Sequence, residues 1–138
     1  MKKKIIIPAV IVALGVAALA YYQFQKPVAS IANEDPYVTY TSEELFAYFN
    51  DNEQVANQDL NGKVIQVSGN IVDVLENSDS STTVVLGSQH PIFGAKCRFE
   101  LGSLQNAEPQ SGQDIEIKGI CTGMTADVEI NQCVYLKK

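Results

Sequence analysis

Lys63-Val64-Ile65-Gln66-Val67-Ser68-Gly69-Asn70-Ile71-Val72-Asp73-Val74 is the stretch on which the fold turns. It reads as one long strand with a change of phase. Ile65 and Val67 share a face before Gly69; Val72 and Val74 take the opposite parity after it, with Ile71 between them. Gly69 therefore predicts a bulge or a bend. A long strand bent at glycine suits a small closed barrel in which one strand serves both halves of the sheet.

Downstream, residues 76–81 form a polar loop and 82–86 a short β-branched strand ended by Gly87. Residues 95–101 alternate, with Cys97, Phe99 and Leu101 on one face and Lys96, Arg98 and Glu100 on the other. A loop spans 102–112. Residues 114–121 alternate again, setting Ile115, Ile117, Gly119 and Cys121 against Glu116, Lys118 and Ile120. The last strand covers 127–136 with Val128 and Ile130 inward. Cys133, Val134 and Tyr135 break the alternation and predict a bulge near Asn131.

Upstream, Thr41-Ser42-Glu43-Glu44 opens a helix with a capping box between Thr41 and Glu44. Leu45, Phe49, Asn52 and Ala56 form its stripe, with Phe46 and Val55 beside it, and the helix ends near 57–59. Asn61-Gly62 supplies a turn with φ > 0. The expected class is mainly β: a five-stranded OB-type barrel preceded by one α-helix.

An uncharged apolar run covers residues 5–22, and Lys2, Lys3 and Lys4 precede it. This is an N-terminal transmembrane helix or a signal segment. The lysines favour a cytoplasmic N-terminus with the remainder outside. Ala18-Leu19-Ala20 also fits a small-x-small cleavage site, so cleavage after Ala20 competes with retention as an anchor. No Cys follows the run, which excludes a lipid anchor there. The expected division is 1–22 as membrane anchor or signal peptide, 23–40 as a linker and 41–138 as the OB-fold domain. The expected location is the cell envelope. The domain is either anchored in the inner membrane facing the periplasm or exterior, or released to the periplasm by cleavage.

The whole chain of 138 residues carries a net charge of −6. From residue 27 onward there are 6 basic and 16 acidic residues, a net of −10. A surface that acidic repels phosphate backbones.

Four segments carry a resemblance. Three read S-E-E-L-F from Ser42, N-E-Q-V-A-N from Asn52, and N-G-K-V-I-Q-V-S-G ending at Gly69. The segment 118–133 adds K-G-I-C-T-G-M-T-A-D-V-E-I-N-Q-C. Together they resemble the tRNA_anti-like family of exported bacterial OB-fold proteins. The resemblance implies the fold and a short N-terminal anchor or signal. It implies no catalytic residue set, and its nucleic-acid label is an analogy of fold, which does not fix function. In the usual OB-fold a helix lies between strands three and four; here the helix precedes strand one.

The residues offer little catalysis. The single histidine, His90, sits between Gln89 and Pro91 in a loop, so a hydrolytic triad lacks a positioned base. Cys97, Cys121 and Cys133 show no C-x-x-C spacing, and no zinc site is expected. Asp73, Glu76 and Asp79 lack the calcium-loop pattern and read as a solvated acidic loop. No metal or cofactor is expected, and the protein is read as a non-enzyme.

Export would give three cysteines one disulfide and one free thiol. A tight hairpin centred near 124–125 sets Cys121 opposite Val128 and Cys133 opposite Glu116, too far apart to bridge. OB strands three and five are neighbours, which favours Cys97–Cys133; three buried thiols acting as small hydrophobes are the alternative. The OB binding face would present Phe93, Lys96, Arg98 and Tyr135. The expected function is an envelope binding module for a small ligand, a glycan or a protein partner, with single-stranded nucleic acid or tRNA as the alternative ligand.

Overall fold

The computed structural model describes the backbone of residues 3–24, 28–88, 94–104 and 107–136, and the side chains of these stretches except 3–7, 23–24 and 28–30. Its elements in chain order are α1 (Lys3–Phe24), α2 (Val28–Asn33), β1 (Val38–Thr41), α3 (Ser42–Asp51) and α4 (Glu53–Leu60), followed by β2 (Val64–Glu76), β3 (Thr82–Leu86), β4 (Ala95–Phe99), β5 (Asp114–Met124) and β6 (Val128–Leu136).

β2 organises the sheet. Its first half, 64–70, pairs antiparallel with β5, and its second half, 71–76, pairs antiparallel with β3. β3 continues to β4, β4 pairs parallel with β6, and β6 returns antiparallel to β5. The five strands therefore close into a barrel, as expected for an OB-type fold. The short β1 is an addition, lying parallel to β2 over 65–68.

The change of phase in β2 is real, but the bulge is at Val72 and not at Gly69. The register steps from Ile71↔Leu86 to Asp73↔Val85. The extra residue turns Val72 outward, so that Ile71 is fully buried and Val74 packs against the core. Gly69 serves a close approach: a Cβ there would stand 2.5 Å from Ser42 Oγ.

The expected single helix is two. The capping box forms at its start: Glu44 N donates to Thr41 Oγ1 at 3.2 Å, and Thr41 N donates to Glu44 Oε2 at 2.9 Å. Asn52 then breaks the helix. Its backbone is extended (φ −153°, ψ 90°), and its Oδ1 accepts from Val55 N at 3.2 Å, capping α4. An Asn side chain that caps competes with continuation of the helix. The new axis buries Ala56 and Leu60 and leaves Val55, expected beside the buried stripe, exposed.

The β5–β6 hairpin also differs from its expected register. Cys121 faces Ile130, not Val128, and Glu116 faces Leu136, not Cys133. Irregularities between 118 and 120 and between 121 and 123 account for the slip. The break expected near Asn131 is present: Gln132 has φ 52°, and the extra residue returns Cys133 to the inner face.

The segment read as a linker carries α2 and β1. Ile31 packs with Val64 and Val134 into a small second core on the outside of the barrel, beside Ala32 and Ile120. Among the described residues no helix is long and apolar enough to cross a membrane. The stretch 8–22 of α1 is apolar and exposed, with Ile11, Val12, Leu14, Val16 and Leu19 each 62–68% accessible.

Candidate functional site

Among the described residues, two of the concavities on the barrel bear on binding. The first, of about 680 Å³, lies where β2 changes partner. The end of β1, the first turn of α3, residues 68–70 of β2, the end of β3 and the start of β5 surround it. Ser42 Oγ donates to the Gly87 carbonyl, bridging α3 to the end of β3. Gly87 N donates to Asn70 O at 2.9 Å, extending the β2–β3 pairing up to that bridge. Val72 and Ile115 give the groove apolar surface.

Its rim is anionic. Asp114 Oδ1 accepts from Asn70 Nδ2 at 3.0 Å, and the same amide donates to Gly112 O at 3.0 Å. Gln66 Nε2 donates to Glu116 Oε1 in the same way. Two side-chain amides thus orient two carboxylates at adjacent outward positions of β5. Glu43, in the first turn of α3, adds a third. Such a rim attracts hydrogen-bond donors and positive charge.

The second concavity, about 170 Å³, lies on the outer face of β3, β4 and β6 between Thr83, Lys96, Arg98, Glu129 and Asn131. Here Lys96 and Arg98 come together as the sequence placed them, but both are tied to carboxylates. Lys96 Nζ lies 2.8 Å from Asp127 Oδ2, whose other oxygen accepts from Gly94 N at 2.9 Å. Arg98 Nη2 pairs with Asp79, and its Nε lies 3.8 Å from Glu100. Asp79 is itself held by Ser81, whose hydroxyl and N–H both donate to it; these bonds, helped by Arg98, lower its pKa.

Tyr135 does not join this face. It packs half-buried against the barrel core, opposite Ile117. Phe93 and His90 lie outside the described residues. Cys97, Cys121 and Cys133 are free thiols, all buried. Among the described residues no three His, Cys, Asp or Glu side chains are grouped to hold a metal ion.

The remaining described cations of the barrel are also engaged. Lys63 stands 4.7 Å over the Tyr37 ring. Lys118 is buried and donates to main-chain carbonyls. Tyr37 and Tyr48 share Asp59: Tyr37 OH donates to its Oδ1 at 2.9 Å and Tyr48 OH to its Oδ2 at 3.3 Å.

Sequence reasoning missed the groove. Asp114 and Glu116 read as outward charges of a strand, and only the approach of Ser42 to Gly69 turns that surface into a concavity. The one available signal was Gly69 itself, a glycine inside a strand where another backbone comes close.

The family profile described as tRNA_anti-like matches residues 1–134. No curated protein matches the chain significantly. Among solved structures, a lipoprotein of Klebsiella pneumoniae subsp. pneumoniae, provisionally described as nucleic acid-binding, superposes with a TM-score of 0.61 at 18% identity, covering 82% of this chain and all of that one. OBody AM1L10, solved bound to hen egg-white lysozyme, gives a TM-score of 0.44 at 22% identity over 58% of this chain and 84% of its own. OBody AM3L15 with the same lysozyme gives 0.44 at 20% identity, over 58% and 86%.

Proposed function

The chain belongs to the tRNA_anti-like family, and from that premise we propose that it is a non-enzymatic binding module of the bacterial cell envelope. Its ligand is neutral or cationic, a small molecule, glycan or protein segment that enters the groove at the β2 bend. One observation carries this reading: the four described cations of the barrel, Lys63, Lys96, Arg98 and Lys118, are all engaged within the domain, while the groove presents oriented carboxylates. Binding of phosphate backbones needs a basic footprint, so the nucleic-acid reading attached to the family name is not preferred. The Klebsiella lipoprotein, at 18% identity, supports the fold and not the ligand.

The engaged hydroxyl of Ser42 supports a binding role. Ser42 commits its hydroxyl proton to Gly87 O and not to a base. Support for an envelope location comes from the lysines before the apolar run and from the exposed apolar surface of 8–22.

Two probes test the reading. A single-stranded oligonucleotide and a short oligolysine peptide are titrated at low and moderate salt, with backbone NMR shifts as readout. The peptide is expected to move the signals of 68–70 and 114–116, and the oligonucleotide none at either salt. Oligonucleotide binding at low salt, where an electrostatic contribution is largest, overturns the proposal. Protease protection of the domain in intact cells, lost on opening the envelope, is the expected result for location.

A further inference from the structure

We propose that Cys97 and Cys133 join as a disulfide across the β4–β6 seam when the domain folds in an oxidising compartment, leaving Cys121 as the single free thiol. The inference rests on the export reading above.

The register brings the pair together. Cys97 stands opposite Ile130 in the parallel β4–β6 ladder. The Cys133 thiol donates to the Ile130 carbonyl at 3.3 Å, which places its sulfur beside the backbone directly across from Cys97. The Cys97 thiol is close enough to Cys133 to disfavour its thiolate. The bulge at Gln132 makes this possible. With Ile130 inward, strict alternation would point residue 132 inward and Cys133 outward. Gly119 completes the arrangement, since a Cβ there would meet Cys133 Sγ at 2.9 Å.

Cys121 is the poorer partner. It faces Ile130 from the opposite side of β6, two interstrand spacings or about 9–10 Å from Cys97, beyond the span of a disulfide.

The exchange balances with a low-molecular-weight disulfide as oxidant. One protein thiolate attacks that disulfide and releases one thiol. The second protein thiolate then displaces the other, forming the Cys97–Cys133 bond and releasing a second thiol. The two protein thiols lose two protons and two electrons, and the oxidant is reduced to two thiols. In the closed barrel both sulfurs are fully buried, and burial, reinforced by the neighbouring thiol, pushes Cys133 well above the usual thiol range. Exchange therefore belongs to the folding chain before the seam closes.

The test uses the full chain, reduced in denaturant and refolded in detergent with reduced and oxidised glutathione. The product is alkylated and mapped by mass spectrometry. A Cys97–Cys133 linked peptide with Cys121 alkylated is expected, and before alkylation the chain is lighter than its reduced form by the mass of two hydrogen atoms. Cys121→Ser should leave the yield of that link unchanged within about twofold, and Cys133→Ser should abolish it. Three alkylated thiols, or a dominant link through Cys121, overturns the pairing. If the link forms on refolding but protein from native membranes carries three thiols, the export reading fails and the pairing stands.

Discussion

Lys118, in the middle of β5, holds the main-chain carbonyl of Glu34 at 2.8 Å and that of Ala32 at 3.1 Å, so a buried ammonium ties the end of α2 to the barrel wall. The same segment buries Ile31 against Val64 and Val134. Lys118→Met keeps the aliphatic packing but leaves two carbonyls without their donor. We expect a loss of about 1–3 kcal/mol, from urea unfolding, together with faster proteolysis within 28–36. Unchanged cleavage in that segment would mean that the ammonium does not hold α2.

Gly119→Ala should destabilise the barrel. The added methyl would meet Ile130 Cγ2 at 2.7 Å, Cys133 Sγ at 2.9 Å and Asn131 O at 3.0 Å, all in the bulged part of β6. A cost of about 1–3 kcal/mol is expected, read as a lower denaturation midpoint at constant m-value. Gly62→Ala offers a contrast. Nothing crowds that position, and any cost there comes from its φ of 78° alone.

A third prediction concerns the tyrosines. The Tyr37 hydroxyl bonded to Asp59 titrates above its usual value, and Tyr48 is raised by burial together with the same carboxylate. Both changes favour the neutral phenol in the folded state. The associated stabilisation is complete below the unfolded tyrosine value, near pH 10, and is lost as pH rises through the elevated folded values. Asp59→Asn should bring Tyr37 back toward the ordinary range, as followed by NMR of labelled tyrosine rings. An unmoved Tyr37 titration contradicts the assignment.

The two basic residues on the outer face should behave differently from each other. Arg98 and Asp79 are 42% and 52% exposed in their side chains, so Arg98→Gln should shift stability by less than about 1 kcal/mol. Lys96 neutralises Asp127, whose side chain is only 9% exposed. Lys96→Met should cost about 1–3 kcal/mol because a nearly buried carboxylate loses its cation. Thermal or urea unfolding of the two variants side by side decides the point.

Features set within a few residues were legible in the sequence. The Thr41–Glu44 box is one, since donor and acceptor lie in a single helical turn. The alternation in 95–99 and 114–117 is another, and five strands with a bent first one were enough for the barrel. What escaped depends on distant neighbours. Asn52 could continue a helix or cap the next, and the packing of Ala56 and Leu60 decides it. Gly69 announced an irregularity whose bulge sits three residues later, because the handover from β5 to β3 occurs between Asn70 and Ile71. The hairpin register slipped because the bulges around Gly119 and Thr122 add residues that periodicity does not count. Helix α2, six residues long, has too little sequence for a period to show. The groove joins residues from 41–43, 68–72, 87–88 and 114–116, and no local pattern links them.

The β4–β6 ladder has only three residue pairs among the described residues, from Ala95↔Val128 to Cys97↔Ile130, and it is parallel. The β2–β3 and β5–β6 ladders join strands adjacent in sequence, whereas β4 and β6 meet only after the whole of β5 has been laid down. Contacts between distant segments pay their loop-closure entropy first, so they form late. The local units β2–β3–β4 and β5–β6 are thus joined to each other by two ladders between distant segments, β4–β6 and β2–β5. Mutations at Cys97 or Ile130, whose contacts across β4–β6 form late, are expected to act mainly on the speed of unfolding, read from the unfolding arm of a chevron.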